Sequence, residues 1–384
     1  MLTEHSELST AHLDADAFYV SIELGRHPEL RGKPVVVAGS GPRAVVTTAS
    51  YEARRYGVGS AIPASRARRL CPQAVFLAPD FPTYRKVSQQ MMDLVRTHVE
   101  QVEVVGLDEA YLDLSGLYSP RAAMRRLVVE IRKSIGLTCS VGIGPNKLVA
   151  KVASDAEKPA GFVVLTREQA CRRFADSPPG LVPGIGPKTA ARLAAVGLTT
   201  LTAVGDAPEQ VLVERFGPNL GRELGRRARF EHDGEVGAAR KVVSESRERT
   251  FDEDIRDPAA LREALRRMSG ELCTSLLAHG RRGRTIGIKI RLDDFTTVTR
   301  AHSVAEPTCD DELVSAVALR LLDEYAPARP VRLLGVRVAG LSSTAASVFA
   351  EPASRLGALD GSPDGPADGA DGLRSPLDQL ALPL

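Results

Sequence analysis

Asp14 and the adjacent pair Asp108-Glu109 are the residues of this 384-residue chain whose types and spacing best suit chemistry. Each closes or follows a strand-like apolar run, Ala11-His12-Leu13-Asp14-Ala15-Asp16 in one case and Val102 to Tyr111 in the other. Carboxylates at the ends of neighbouring strands supply the oxygen ligands that a hard cation such as Mg²⁺ takes. Such an ion keeps its other positions open for phosphate and water. Neighbours on a strand face opposite sides, so Asp108 and Glu109 converge only where the strand ends or bulges. Gly106 gives the local freedom for that break. Asp14 and Asp16 share a strand face, so the bare pattern permits Asp16 as a ligand too. An isolated Asp-Glu pair also serves to cap a turn or to pair with an arginine, so the acids alone do not choose a reaction.

Other residues point to phosphate. Tyr51 and Arg54, three apart on a short helical stretch, share a face where phenol and guanidinium could hold phosphate oxygens. Pro183-Gly-Ile-Gly-Pro-Lys188 reads as a helix-hairpin-helix turn. Gly184 and Gly186 would expose backbone N–H groups at a helix start, beside Lys188, where phosphate binds without regard to base sequence. That turn supports a nucleic-acid partner without identifying an enzyme. Further on, alternation puts Lys289 and Arg291 on one sheet face and Ile288, Ile290 and Leu292 on the other.

The elements that must position these groups read as α+β. A strand over 10–16 leads into a helix from Phe18. Short β-branched strands follow at 35–37 and 45–47, joined by a Gly/Pro turn, and then a short helix at 50–56. Helices are predicted at about 63–70, 81–99 and 120–135, and strands at about 102–106, 110–114 and 138–143. Residues 166–233 turn helical with short loops, and 234–243 form a polar link. The next hundred residues give strand 244–251, helix 258–279, strands 284–291 and 296–304, helix 309–325 and strand 331–340, a ferredoxin-like β-α-β-β-α-β order. Residues 342–376, rich in Ala, Gly, Ser, Pro and Asp, are expected to be disordered.

Composition narrows the class further. Hydrophobic residues are 43% and charged residues 26%, ordinary for a globular protein. The net charge is +2, but residues 343–384 carry six acids and two arginines, leaving the body 48 basic and 42 acidic residues. That mild positive charge permits phosphate contact and does not require it. The five cysteines are scattered without a Cys-x-x-Cys pair, which suits reduced thiols in a cytoplasm. No run suits a signal peptide or a bilayer span, so a cytoplasmic protein without membrane association is expected.

Asp14-Ala-Asp-Ala-Phe-Tyr19, Tyr51-Glu-Ala-Arg54, Leu107-Asp-Glu-Ala-Tyr-Leu-Asp113 and Asn146-Lys-Leu-Val-Ala-Lys151 together resemble the Y-family translesion DNA polymerases of the DinB, or polymerase IV, type. The match runs in order from about residue 11 to 340. The resemblance implies a right-hand-like enzyme: palm at 1–17 and 81–165, small fingers at 18–80, helical thumb at 166–233, linker at 234–243 and little finger at 244–341. It implies two Mg²⁺ ions, with Asp14 and Asp108 bridging both, Glu109 on the primer-side ion and the Ala15 carbonyl on the nucleotide-side ion. Asp16 is then supporting. Tyr51, Arg54 and Lys158 would grip the triphosphate. Tyr19 would be the steric gate that rejects a ribose 2′-hydroxyl, and Phe18 beside it would belong to the same substrate site, although an aromatic at that position also serves as simple core. Lys289 and Arg291 would lie along the template backbone. Many relatives carry Ser-Ile where this chain has Gly106-Leu107, a change that removes no metal ligand.

The last residues, Gln379-Leu-Ala-Leu-Pro-Leu384, resemble the peptide that bacterial polymerases insert into the sliding clamp. Leu380, Leu382 and Leu384 would fill an apolar pocket with Gln379 at its rim, making residues 377–384 a tethered clamp-binding segment. The expected protein is thus a monomeric, low-fidelity polymerase that uses primer-template DNA and dNTPs and lacks a proofreading exonuclease. Two alternatives remain. A non-catalytic DNA- and clamp-binding accessory protein on this fold would be expected to lack the acids, and a transferase biased toward one template base would retain them.

Overall fold

The computed structural model describes residues 8–238 and 241–343. Two units cluster separately: Met1–Val35, Thr48–Glu52 and Asp80–Ala239 form one, and Val36–Thr47, Ala53–Pro79 and Arg240–Leu384 the other.

The first 80 residues supply β1 (Thr10–Ala15), α1 (Phe18–Arg26), β2 (Val35–Ala38), β3 (Val46–Ala49), α2 (Tyr51–Arg54), α3 (Ala64–Leu70) and β4 (Val75–Leu77). Strands β2 to β4 make a small sheet in the order β3-β2-β4. Then come α4 (Phe81–His98), β5 (Val102–Val104), β6 (Glu109–Asp113), α5 (Pro120–Ser134), β7 (Cys139–Gly144), α6 (Lys147–Asp155) and β8 (Phe162–Val164). They complete a five-stranded sheet, β5-β6-β1-β7-β8, with β1 central and antiparallel to both β6 and β7.

Helical spacing explains why α4 and α5 cover this sheet. Met91, Met92 and Val95 on α4, and Met124, Leu127 and Ile131 on α5, recur at three- and four-residue intervals and bury with Ala11, Leu13, Leu112, Val141 and Ile143. Each helix has a local start signal. Asp80 caps α4 by accepting from the Thr83 amide, and Pro120 opens α5 where no intrahelical donor is needed. Five short helices follow: α7 (Arg167–Arg173), α8 (Pro187–Ala194), α9 (Leu201–Asp206), α10 (Glu209–Phe216) and α11 (Pro218–Ala228). Val182, Ile185, Leu193, Leu212, Leu224 and Phe230 are among the residues of their shared core.

In the other unit, β9 (Ser244–Ile255), α12 (Pro258–Ala278), β10 (Arg281–Leu292), β11 (Thr297–Thr308), α13 (Asp311–Tyr325) and β12 (Val331–Ser343) follow the expected order. The sheet runs β11-β10-β12-β9, so β12 lies between the two strands of the first β-α-β, a split arrangement. Ile286, Ile288, Ile290 and Leu292 bury with Leu265, Leu272, Val314 and Leu321 from the two helices.

Among the described strands and α-helices, β4, β8 and α6 lie outside the predicted set. The two strands are three residues each, too short to show a period. Strand β12 reaches Ser343, past residue 342 where the tail was expected to begin, because Leu341 pairs with Gly283 and is nearly buried. The rest of the expected linker and the peptide Gln379–Leu384 lie outside the described residues. No helix among those described is long and apolar enough to cross a membrane.

Candidate active site

Strand β1 divides its side chains between two surroundings. Ala11, Leu13 and Ala15 enter the core with α4 and α5, whereas His12 and Asp14, and Asp16 just beyond the strand, take the opposite side. Asp14 is paired in register with Glu109, the first residue of β6, and the Ala15 amide donates to the Asp108 carbonyl at 2.8 Å. The turn before β6 closes as the Val105 and Gly106 amides donate to the Glu109 carbonyl at 3.1 and 3.3 Å. Asp108 thus ends a turn and Glu109 begins a strand, which is the break that adjacent convergent carboxyls require. A Cβ on Gly106 would stand 3.3 Å from Asp108 Oδ1, so the missing side chain leaves that carboxyl room.

Helix α6 and the loop after it bring ammonium groups to these acids. Asn146 caps the helix by accepting from the Val149 amide at 3.0 Å. Its approach to β7 depends on Gly142, where a Cβ would fall 2.0 Å from the Ala150 carbonyl oxygen and 2.3 Å from the Ser154 nitrogen. Lys151 Nζ donates to Asp14 Oδ2 at 3.1 Å and to Glu109 Oε2 at 2.8 Å. Lys158 Nζ lies 2.6 Å from Asp14 Oδ2 and 2.7 Å from Asp155 Oδ1.

The acids do not titrate alike. Burial, reinforced by the charges of Asp14 and Glu109, pushes Asp108 up to about 6. Its neighbour Glu109 is held down at about 2, first by the hydrogen bond from His12 and then by Lys151. Burial opposes charge on Lys151 and Lys158, but the surrounding carboxylates together outweigh it and raise both, Asp14, Glu109 and Asp155 at Lys151 and Asp14 and Asp155 at Lys158. His12 is pushed down by burial. Asp16 is raised by burial while accepting from the Ala160 amide and the Ser140 hydroxyl, both at 2.8 Å. Those bonds make Asp16 a brace between β7 and the loop after α6.

These residues suit a hard divalent cation. Asp14 and Glu109, with His12, offer ligand atoms within 4.8 Å of one another. Two ammonium groups already balance the carboxylates, and a half-buried acid pushed toward neutrality beside them would ionise once a dication arrived.

Tyr19 stands on α1 in contact with Tyr84, ring centroids 4.7 Å apart, and its phenol is raised to about 12 by burial and by the charge of Asp108. Phe18 is 1% exposed in the core, edge-on to Tyr19 at 5.3 Å, and so backs that ring instead of opening onto the acids. The Tyr51 hydroxyl donates to Asp16 Oδ1 at 3.3 Å, and Arg54 lies one turn on, exposed. In the helical region Val182 and Ile185 are buried while Pro183, Gly184, Gly186 and Lys188 are exposed. Gly184 takes φ +90°, a left-handed conformation natural to glycine, and Arg227 ties the Pro183 carbonyl. On β10, Lys289 pairs with Glu248 at 2.7 Å and Arg291 donates to Thr297 Oγ1 at 2.9 Å, both opposite the buried isoleucines.

Sequence reasoning gave no role to Lys151, His12 or Ser154. The signal was present: Asn146 as a cap, then Leu148, Val149, Val152 and Ala153 at helical spacing, puts Lys151 and Ser154 on one face.

Comparison with known proteins bears on most of the chain. The impB/mucB/samB family matches residues 13–155, and the impB/mucB/samB family C-terminal domain matches residues 242–349. The DNA polymerase IV of Streptomyces coelicolor is 41% identical over 349 residues, covering 89% of this chain and 73% of that protein. The DNA polymerase IV of Methanoculleus marisnigri is 40% identical over 337 residues, covering 86% and 93%. Among solved structures, a Y-family DNA polymerase chimera of Dbh and Dpo4 superposes with a TM-score of 0.76 at 26% identity, covering 87% of this chain and 99% of that one. An insertion ternary complex of Dbh DNA polymerase has a TM-score of 0.61 over the same shares.

Proposed function

The chain belongs to the Y family of DNA polymerases, of the polymerase IV type, and is a DNA-directed DNA polymerase; from that premise we propose that it extends primers across damaged templates by a two-metal mechanism and without proofreading. The observation that carries the reading is the meeting of Asp14 with Asp108 and Glu109 where β1 pairs with β6.

Two Mg²⁺ ions held by Asp14, Asp108, Glu109 and the Ala15 carbonyl would lower the pKa of the primer 3′-hydroxyl and neutralise the departing pyrophosphate. The protein's own groups do the rest. Lys158 would exchange Asp14 and Asp155 for triphosphate oxygens, with Tyr51 and Arg54 completing the grip. The Tyr19 ring, braced by Phe18 and Tyr84, would lie under the sugar and exclude a 2′-hydroxyl. The exposed turn at Gly184, Gly186 and Lys188 would hold a DNA backbone, and Lys289 and Arg291 another stretch of it. In hand terms, the five-stranded sheet is the palm, α7 to α11 the thumb and β9 to β12 the little finger. We assign a cytoplasmic monomer that reaches the sliding clamp through Gln379, Leu380, Leu382 and Leu384.

The test is primer extension on damaged and undamaged templates with the wild-type protein and Asp108→Asn. Extension past the lesion by the wild type alone supports the proposal. Extension by the variant at the wild-type rate, or a wild type inactive on both templates, overturns it.

A further inference from the structure

Beside the acids lies a buried titratable side chain to which the reaction above gives no task. His12 is 1% exposed, with its ring edge-on to Tyr111 at 4.7 Å. Its Nδ1 is 2.8 Å from the hydroxyl of Ser154, itself 1% exposed, and its Nε2 is 3.3 Å from Glu109 Oε2. The ring is shielded from solvent, so its tautomer is set by its partners.

The Ser154 hydroxyl has one proton and two acceptors in reach, His12 Nδ1 and the Lys151 carbonyl, each at 2.8 Å. Given to the carbonyl, the proton leaves Nδ1 to carry the ring hydrogen, and the bare Nε2 lone pair of a neutral imidazole then faces a carboxylate. Given to Nδ1, it leaves the ring hydrogen on Nε2, which donates to Glu109. The Lys151 carbonyl loses little in that case, since it already has its partner inside α6. Only the second arrangement satisfies each contact without adding a charge.

We propose that Ser154, His12 and Glu109 form a hydrogen-bonded chain in which the Nε2–H tautomer of His12 holds Glu109 by Oε2 and leaves Oε1 for the cation. His12 is in this reading a positioning residue. Lys151 converges on the same Oε2 at 2.8 Å, so two donors from different elements fix one oxygen of the carboxylate and thereby its plane. A lysine alone, on a flexible stem, would set charge without setting orientation. The inference rests on the polymerase reading and adds to it a determinant of the chemical step, distinct from nucleotide binding.

Three substitutions separate the donor from its packing. His12→Phe keeps a ring against Tyr111 and removes both nitrogens. His12→Gln returns an amide nitrogen near the position of Nε2, and His12→Asn returns one near Nδ1. In single-nucleotide incorporation, His12→Phe should lower kcat by roughly 10-fold or more while the dNTP KM stays within about twofold. His12→Gln should recover most of that loss and His12→Asn should not. Nitrogen-15 NMR of the metal-free full chain should show His12 as the neutral Nε2–H tautomer, a readout independent of activity. The proposal falls if His12 carries its proton on Nδ1, if His12→Phe turns over like the wild type, or if His12→Asn rescues as well as His12→Gln. Nitrogen coupling from His12 to bound Mn²⁺ would also overturn it, by making the ring a ligand. Should His12→Phe fail to fold, the Gln and Asn variants and the NMR result still decide. A wild type without polymerase activity would instead sink the parent reading.

Discussion

Asp108→Asn should make the metal-free protein more stable while removing its activity. In the fold the Asp108 carboxyl titrates at about 6, against a usual value of 3.8. Each unit is worth about 1.4 kcal/mol, so the gap of about two units corresponds to about 3 kcal/mol. Water reaching this half-buried group reduces that figure, and about 1.5–3 kcal/mol is the working range. The sign follows from linkage. Below pH 3.8 the carboxyl is protonated in both folded and unfolded chains, and nothing is lost. Between 3.8 and about 6 the folded chain takes up a proton that the unfolded chain lacks. Above 6 both are ionised and the folded state bears the whole penalty, which asparagine removes. Glu109 behaves oppositely: its stabilisation is present above its usual 4.5 and is lost as pH falls through about 2, so it contributes equally to both proteins across the window that matters. Thermal melts in EDTA at pH 8 should place the variant roughly 3–12 °C above wild type. The two curves should converge as the pH is lowered toward 4. Excess Mg²⁺ should close or reverse the gap, because the cation binds the folded carboxylate and not the amide. A variant that melts at or below wild type in EDTA at pH 8, or a gap indifferent to pH, would refute the argument.

Three other perturbations probe different parts of the protein. Tyr19→Ala should admit ribonucleotides, read as a fall in the dNTP-to-rNTP ratio of kcat/KM; unchanged sugar discrimination would remove Tyr19 from the gate. Gly142→Ala should push α6 away from β7 and cost about 1–3 kcal/mol or more, with incorporation falling further than stability because Lys151 and Ser154 move with the helix; a denaturation midpoint matching wild type would show that the contact relaxes. Deletion of residues 379–384 should abolish clamp stimulation of primer extension and spare synthesis without the clamp, and equal loss of both would dissociate that peptide from the clamp.

Much of the fold was legible because its signals are local. The cap Asp80, the proline openings of α5 and α8, and the alternation along β10 are settled by a few consecutive residues. The β-α-β-β-α-β order also followed from successive periods of two and 3.6. Elements of three residues, β4 and β8, escaped because pairing partners and not periodicity make them strands. Helix α6 was missed although its signals are local, the Asn146 cap and Leu148, Val149, Val152 and Ala153 at helical spacing.

The amino-acid order by itself determined which residues carry carboxyls, where the strands that present them stop, and that Gly106 precedes the pair. Tertiary structure alone decided what those carboxyls are. Asp108 and Glu109 are chemical near-equals in sequence, yet one titrates at about 6 and the other at about 2. The difference arises because β1 delivers Asp14 and His12, and α6 delivers Lys151, from positions far away along the chain. Electrostatic energy depends on distance and on exclusion of water, and neither is written in the spacing of residues along a strand.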